Sequence, residues 1–181
     1  MNLQLREKVI IVTNGTSGIG ESISRTLAVE EAYVVIVGQN AFENEQTLEK
    51  IQAIGGVGYC IEIELTNQEA CEKVVKITMD RYGRIDGLVN NAGDYHSMIQ
   101  FCLPHLKITK GPIVNIVPII AFDKYQILTR EWADEFLQYG IRVNTVIHQN
   151  NRDAAAEIAN MATFLMSRRS SQTTGQLVQI G

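Results

Sequence analysis

One passage constrains this chain more than any other. An apolar run, Val9–Thr13, leads through Thr13-Asn14-Gly15-Thr16-Ser17-Gly18-Ile19-Gly20 into Gly18–Glu31, where Ile19, Ile23, Leu27 and Ala28 share one helical face. A chain that leaves a strand and opens a helix within so few residues must turn sharply, and glycine permits it. The first N–H groups of such a helix have no partner inside it, and the helix dipole adds positive potential at the same end. The turn is therefore suited to an anion such as a pyrophosphate. Gly18 and Gly20 are expected to permit the close approaches, and Thr16 and Ser17 to add hydroxyl donors.

The same alternation continues to the end of the chain. Further strands are expected at Tyr33–Val37, Gly58–Leu65, Gly87–Asn90, Pro112–Val117, Ile141–Ile147 and Gln176–Ile180. Helices are expected at Phe42–Ile54, Gln68–Tyr82, Tyr95–Lys107, Asp123–Tyr139 and Asp153–Met166. Ala70, Val74, Ile77 and Met79 form the expected buried stripe of the third helix. Pro104 predicts a kink or an early end in the fourth. Gly140 is expected to stop the fifth, and Arg168 and Arg169 to lie near the negative end of the sixth. Strands separated by helices pair in parallel through crossovers, so the expected fold is α/β. It is a doubly wound parallel seven-stranded sheet with helices on both faces, in one domain over residues 1–181. Such sheets bind ligands beyond the carboxyl ends of their strands, where strand order reverses.

Composition narrows the function. Apolar residues make up 45% and charged residues 20% of the 181, and the net charge is −4, which favours neither nucleic acid nor an anionic membrane. No apolar run approaches the roughly 20 residues of a spanning helix. The amino terminus lacks the pattern of a secretory signal. Cys60, Cys71 and Cys102 are scattered, as expected of reduced thiols in a cytoplasmic protein. No residue spacing suggests a metal site.

The motifs resemble those of the short-chain dehydrogenase/reductase family. The family's TGxxxGxG is TNGTSGIG here, with Asn14 in place of the first glycine. Asparagine tolerates positive φ better than other non-glycine residues, so the turn can survive. Asn90-Asn91-Ala92-Gly93 matches the NNAG that lines the adenosine side. Ile141-Arg142-Val143-Asn144 and Thr174-Gly175-Gln176 match two later landmarks. Glu64-Leu65-Thr66 matches the acidic-Leu-Thr whose acid reaches the adenine amino group. The resemblance implies a dinucleotide held by Thr13, Asn14, Gly15, Thr16, Ser17, Gly18, Ile19, Gly20, Glu64, Leu65, Asn91, Ala92 and Gly93. At the end of the second strand, Gly38-Gln39-Asn40 offers neither the acid that suits NAD nor the arginine that suits NADP. Gln39 or Asn40 could bond the ribose, and NAD and NADP both stay open. Within the family, LTREWA, GRIDGLVNNAG and SSQTTGQ look like a sugar-oxidising branch similar to L-fucose dehydrogenases. The family pairs through its fifth and sixth helices, so a homo-oligomer is implied, although the fifth helix is short here.

The family transfers hydride between the nicotinamide and a secondary alcohol or carbonyl. It uses a tyrosine, a lysine four residues later, a serine after the fifth strand and a relay asparagine. Four residues after Tyr33, Tyr59, Tyr82, Tyr95, Tyr125 and Tyr139 stand Val37, Ile63, Asp86, Ile99, Thr129 and Val143, never lysine. The family's NISS is Asn115-Ile116-Val117-Pro118, Phe122 stands where the lysine belongs, and the segment bearing the asparagine is short. The loop after the sixth strand is reduced to His148-Gln149-Asn150-Asn151. Lys124 and Tyr125 are expected on the surface at a helix start, and Trp132 in the core or a subunit contact. His96 and His105 lie on a helix without a ligand-like partner, and His148 is a candidate acid/base. The catalytic residues are therefore unknown. Either this is a short form that gave up catalysis, or active-site loops are missing from the sequence. The functions in contention are an impaired NAD(P)-dependent oxidoreductase, a dinucleotide sensor or interaction protein without chemistry, and a folded remnant with no ligand.

Overall fold

The structure is a computed structural model that describes residues 2–149 and 152–181. Seven strands form one parallel sheet: β1 Val9–Thr13, β2 Tyr33–Gly38, β3 Val57–Glu62, β4 Gly87–Asn90, β5 Ile113–Pro118, β6 Val143–His148 and β7 Leu177–Ile180. Their order is β3-β2-β1-β4-β5-β6-β7. Six α-helices connect them: α1 Gly18–Val29, α2 Ala41–Ala53, α3 Gln68–Tyr82, α4 Tyr95–Thr109, α5 Phe122–Leu137 and α6 Ala155–Met166. The order reverses between β1 and β4, so their carboxyl ends part to make a crevice.

The pleat sends successive strand residues to opposite faces, and each face has its own core. Val9 and Ile11 of β1, with Val35 and Val37 of β2, pack with α3, α4 and α5 through Val74, Met98, Cys102 and Trp132. Ile10 and Val12, with Val34 and Ile36, pack with α1, α2 and α6 through Ile23, Leu27, Ile51, Ile158 and Leu165. Both faces of the central strands are covered, which is why those strands read as unbroken β-branched runs.

Some expectations need correction. Strand β3 ends at Glu62, so Ile63, Glu64 and Leu65 belong to a loop. The buried stripe of α3 is Ala70, Cys71, Val74, Val75 and Thr78, because this helix packs against α4 as well as the sheet. Ile77 and Met79 flank that stripe and are partly buried. Pro104 lies inside α4, which continues to Thr109. The carbonyl that Pro104 leaves unbonded belongs to Gln100, and both residues are exposed, so water can satisfy it. Helix α5 ends at Leu137, before Gly140, whose φ is +72°. Tyr125 is not a surface residue: it is 8% exposed and sits edge-on between Tyr95 and Trp132, with ring centroids 5.6 and 6.4 Å away. Its neighbour Lys124 is exposed, as successive helix residues diverge by about 100°.

Candidate dinucleotide crevice

The turn after β1 is held by bonds that use up several residues expected to face a ligand. Thr13 is fully buried. Its hydroxyl donates to the Ala92 carbonyl at 2.9 Å and accepts from the N–H groups of Asn91 and Ala92 at 2.9 and 3.1 Å. Thr13 therefore ties the end of β1 to the loop after β4 across the switch point. The Gly15 N–H donates to the Val37 carbonyl at 3.0 Å, and the Ser24 hydroxyl donates to the Gly15 carbonyl at 2.9 Å. A Cβ at Gly15 would lie 2.8 Å from Ile36 and 2.9 Å from the Ser24 hydroxyl, so this glycine serves packing.

Asn14 has φ +47°, the left-handed conformation its side chain tolerates. Its carbonyl accepts a 3.1 Å bond from the side-chain amide of Asn91. Gly20 passes directly beneath: a Cβ there would collide with the Asn14 carbonyl and lie 2.8 Å from the Asn91 amide nitrogen. The close approach at Gly20 is thus to the protein's own loop, not to a ligand. Gly18 differs, having φ +53° and open space where its Cβ would be. Thr16 is 4% exposed, and its side chain lies against Gly38, so its hydroxyl does not face outward as expected.

What remains for an anion is the start of α1. Ser17 is half-buried, extended at φ −143°, and makes no side-chain capping bond. Its hydroxyl and the N–H groups of Gly18, Ile19 and Gly20 carry the unmet donors of the helix end. The turn also borders a space of about 290 Å³ lined by Ser17, Gly18, Ile19 and Ala155.

The crevice beside it, of about 260 Å³, is lined by Asn14, Gln39, Glu64, Leu65, Ala92 and Gly93, all expected from the sequence. Val37, Gly38, Ile63 and Thr66 also line it and were not anticipated. A glycine at the carboxyl end of β2 was the available signal for Gly38. Two glycines of its lining let neighbouring segments pack closely. A Cβ at Gly93, which has φ +90°, would lie 2.7 Å from Leu65, and one at Gly38 would collide with Asn44.

Asn40 does not face the crevice as a ribose ligand. Its side-chain oxygen accepts from the N–H groups of Phe42 and Glu43 at 3.0 and 3.2 Å, capping α2. Asp94, next to Gly93, caps α4 by accepting from the Ser97 hydroxyl at 2.6 Å and the Ser97 N–H at 3.0 Å. Those two bonds hold its carboxyl below the usual carboxylate range.

None of the six tyrosines lines the crevice. The Tyr95 hydroxyl donates to the Ile116 carbonyl at 2.6 Å, and burial pushes its pKa up. Burial pushes Tyr125 up to about 12. Tyr59 and Tyr82 flank Arg81, Tyr33 stacks near Tyr82, and Tyr139 lies under Lys107. Strand β5 runs into a single tight turn, Ile119–Ala121, and α5 starts at Phe122. His148 ends β6 in register with Pro118 and Ile180, is 8% exposed, and has its pKa lowered by burial. Asn150 and Asn151 lie outside the described residues. His96 and His105 are both on α4. Among the described residues there is no group of three or more side chains that could hold a metal, and no helix long and apolar enough to cross a membrane.

These features define a doubly wound α/β protein whose switch-point crevice ends on an open helix terminus. A model of the short chain dehydrogenase family matches residues 8–101, more than half of the chain and the whole of this crevice. The chain belongs to that family. It is 27% identical over 143 residues to a probable 2,4-dienoyl-CoA reductase of Bacillus subtilis, a match covering 77% of this chain and 54% of that protein. The chain thus spans about half the length of that relative. It is also 27% identical to the 3-oxoacyl-acyl-carrier-protein reductase of Thermotoga maritima, with 98% of both chains covered. That alignment runs over 241 positions, against 181 residues here, so stretches of the relative have no counterpart in this chain. The crystallised glucose dehydrogenase of Caenorhabditis elegans superimposes with a TM-score of 0.89 at 26% identity, covering 98% of this chain and 97% of that one.

Proposed function

We propose that the chain binds NAD or NADP through the pyrophosphate and adenosine half of the cofactor, and that the hydride transfer of its family is impaired or lost. The observation that carries the first part is the uncapped start of α1, Ser17 to Gly20, at the turn whose Asn14 lines the crevice. The donors there suit a pyrophosphate, and Gln39, Glu64 and Leu65 suit an adenosine. When bound, the nicotinamide would accept or give a hydride. The family reaction would use a secondary alcohol or carbonyl, with a sugar-like substrate suggested by the motif resemblance.

Impaired catalysis is supported by the tyrosines. None has a lysine one helical turn later, and Tyr95 and Tyr125 are buried with raised pKa values. An acid/base must titrate near the working pH and reach the reacting oxygen. Pro118 and Phe122, at the edge of β5, supply no such group. The remaining candidate acid/base is His148, at the carboxyl end of β6, whose pKa burial lowers.

Fluorescence titration with NADH and NADPH, followed by turnover assays on secondary alcohols and sugars, tests both parts. A saturable signal with little or no turnover is expected. Any residual rate should disappear in His148→Gln. No saturation with either nucleotide overturns the binding site, and turnover typical of enzymes, around 10 per second, overturns the loss of catalysis.

A further inference from the structure

We propose that the dinucleotide is NAD and that NADP is rejected, an inference that rests on the crevice being a dinucleotide site. The two cofactors share their pyrophosphate and differ by one phosphate on the adenosine ribose. A phosphate monoester carries close to two negative charges at neutral pH. A site that accepts it must supply a cation, or free donors at a helix end.

Among the described residues, the lining of this crevice supplies neither. The four segments that border it are residues 13–24, 37–49, 61–72 and 90–106, and none contains a lysine or an arginine. Lys73, which follows the third, is exposed in the second turn of α3 and does not line the crevice, and the cations that follow the first two are turned to other partners. Lys50 pairs with Glu21 at 2.9 Å, and Arg25 lies 3.9 Å from the same carboxylate. Beyond the fourth segment, Lys107 lies over the ring of Tyr139 at 3.8 Å. The helix end nearest the ribose position is that of α2, directly after Gln39. Its Phe42 and Glu43 N–H groups already donate to the Asn40 side chain, and the Asn44 N–H donates to the Asn40 carbonyl at 2.9 Å. An incoming phosphate would find those donors taken.

Carboxylates stand there instead. Glu64 lines the crevice, Glu62 pairs in register with Gly38, and Glu43 lies in the first turn of α2. Each repels a second phosphate, and none opposes a ribose diol, whose hydroxyls can donate to Gln39 or Glu64. The shared pyrophosphate does not enter this comparison, because the start of α1 serves it in both cofactors.

The test is a pair of fluorescence titrations, NADH and NADPH, at low and high salt. NADH is expected to bind about ten-fold or more tightly at low salt, with the gap narrowing as salt screens the carboxylates. Gln39→Arg, at an exposed loop position, should raise NADPH affinity relative to NADH by about ten-fold. NADPH binding as tightly as NADH to the unaltered protein overturns the preference while leaving the dinucleotide site in place. No saturable signal from either nucleotide overturns the site, and the preference with it.

Discussion

The side-chain amide of Asn91 donates to the main-chain carbonyl of Asn14 at 3.1 Å, joining the loop after β4 to the turn after β1. The bond spans the switch point and fixes the carbonyl beneath which Gly20 passes. Asn91→Ala removes a single partly exposed hydrogen bond and should lower stability by about 1 kcal/mol. With the turn loosened, NADH affinity should fall several-fold. Urea denaturation and NADH fluorescence measure the two effects. If neither changes, the bond does not hold the turn.

Asn14 sits at φ +47°, so its replacement is a test of backbone strain. Asn14→Ala should destabilise by about 1–2 kcal/mol, the penalty for an alanine in the left-handed region. Asn14→Gly restores the freedom the family's glycine has and should be close to neutral. Thermal unfolding of the two variants side by side distinguishes strain from loss of a side-chain contact.

Gly18 and Gly20 should respond differently to alanine. A methyl group at Gly20 collides with the Asn14 carbonyl, so Gly20→Ala should cost about 1–3 kcal/mol through overpacking and also weaken NADH binding. A methyl group at Gly18 meets nothing within 4 Å, so Gly18→Ala bears only the strain of φ +53° and should stay folded. It nevertheless stands at the start of α1, among the residues whose N–H groups are unmet, and should reduce NADH affinity. Unfolding curves and titrations of both variants make the comparison; a Gly18→Ala protein with unchanged affinity would move the pyrophosphate elsewhere.

Asp86 gives the fold a pH dependence at the edge of the sheet opposite the crevice. It accepts from the Val9 N–H at 3.0 Å, from Arg84 Nη2 and Nε at 2.6 and 2.7 Å, and from Lys8 at 3.2 Å. Burial alone would raise its pKa, but the bonds from Arg84, Val9 and Lys8 outweigh burial and lower it. A carboxyl with a lowered folded pKa adds stability above its unfolded value of about 3.9 and loses it as pH falls through and below that value. Stability should therefore drop on acidification below about pH 4. Asp86→Asn should be about 1–3 kcal/mol less stable at pH 7 and lose less on acidification. Urea midpoints between neutral and acid pH check this, with NADH affinity at pH 7 as the control for the distant crevice.

The alternation of apolar strands and amphipathic helices was legible because both periods are local properties of the chain. The glycine-bearing turn was legible for the same reason, as was the positive φ of Asn14. Several site assignments failed because they depend on what lies across space. Asn40 could be read as a ribose ligand until its side chain was seen capping α2. Thr16 could be read as a donor to a ligand until its side chain was seen buried against Gly38. Tyr125 looked like a surface residue because its partners, Tyr95 on α4 and Trp132 two turns along, meet only after packing.

By itself, the sequence determined the kind of fold and the place of its switch point. Hydrophobic period and crossover handedness admit few arrangements, and each can be read from neighbours along the chain. The tertiary structure alone decided which polar groups are spent inside the protein and which remain for a ligand. Thr13, Asn14, Asn91 and Gly20 hold one another in place, and Ser17, Gly18, Gln39 and Glu64 are left at the opening. That division follows from hydrogen bonds and contacts between segments up to 79 residues apart, which no local pattern records.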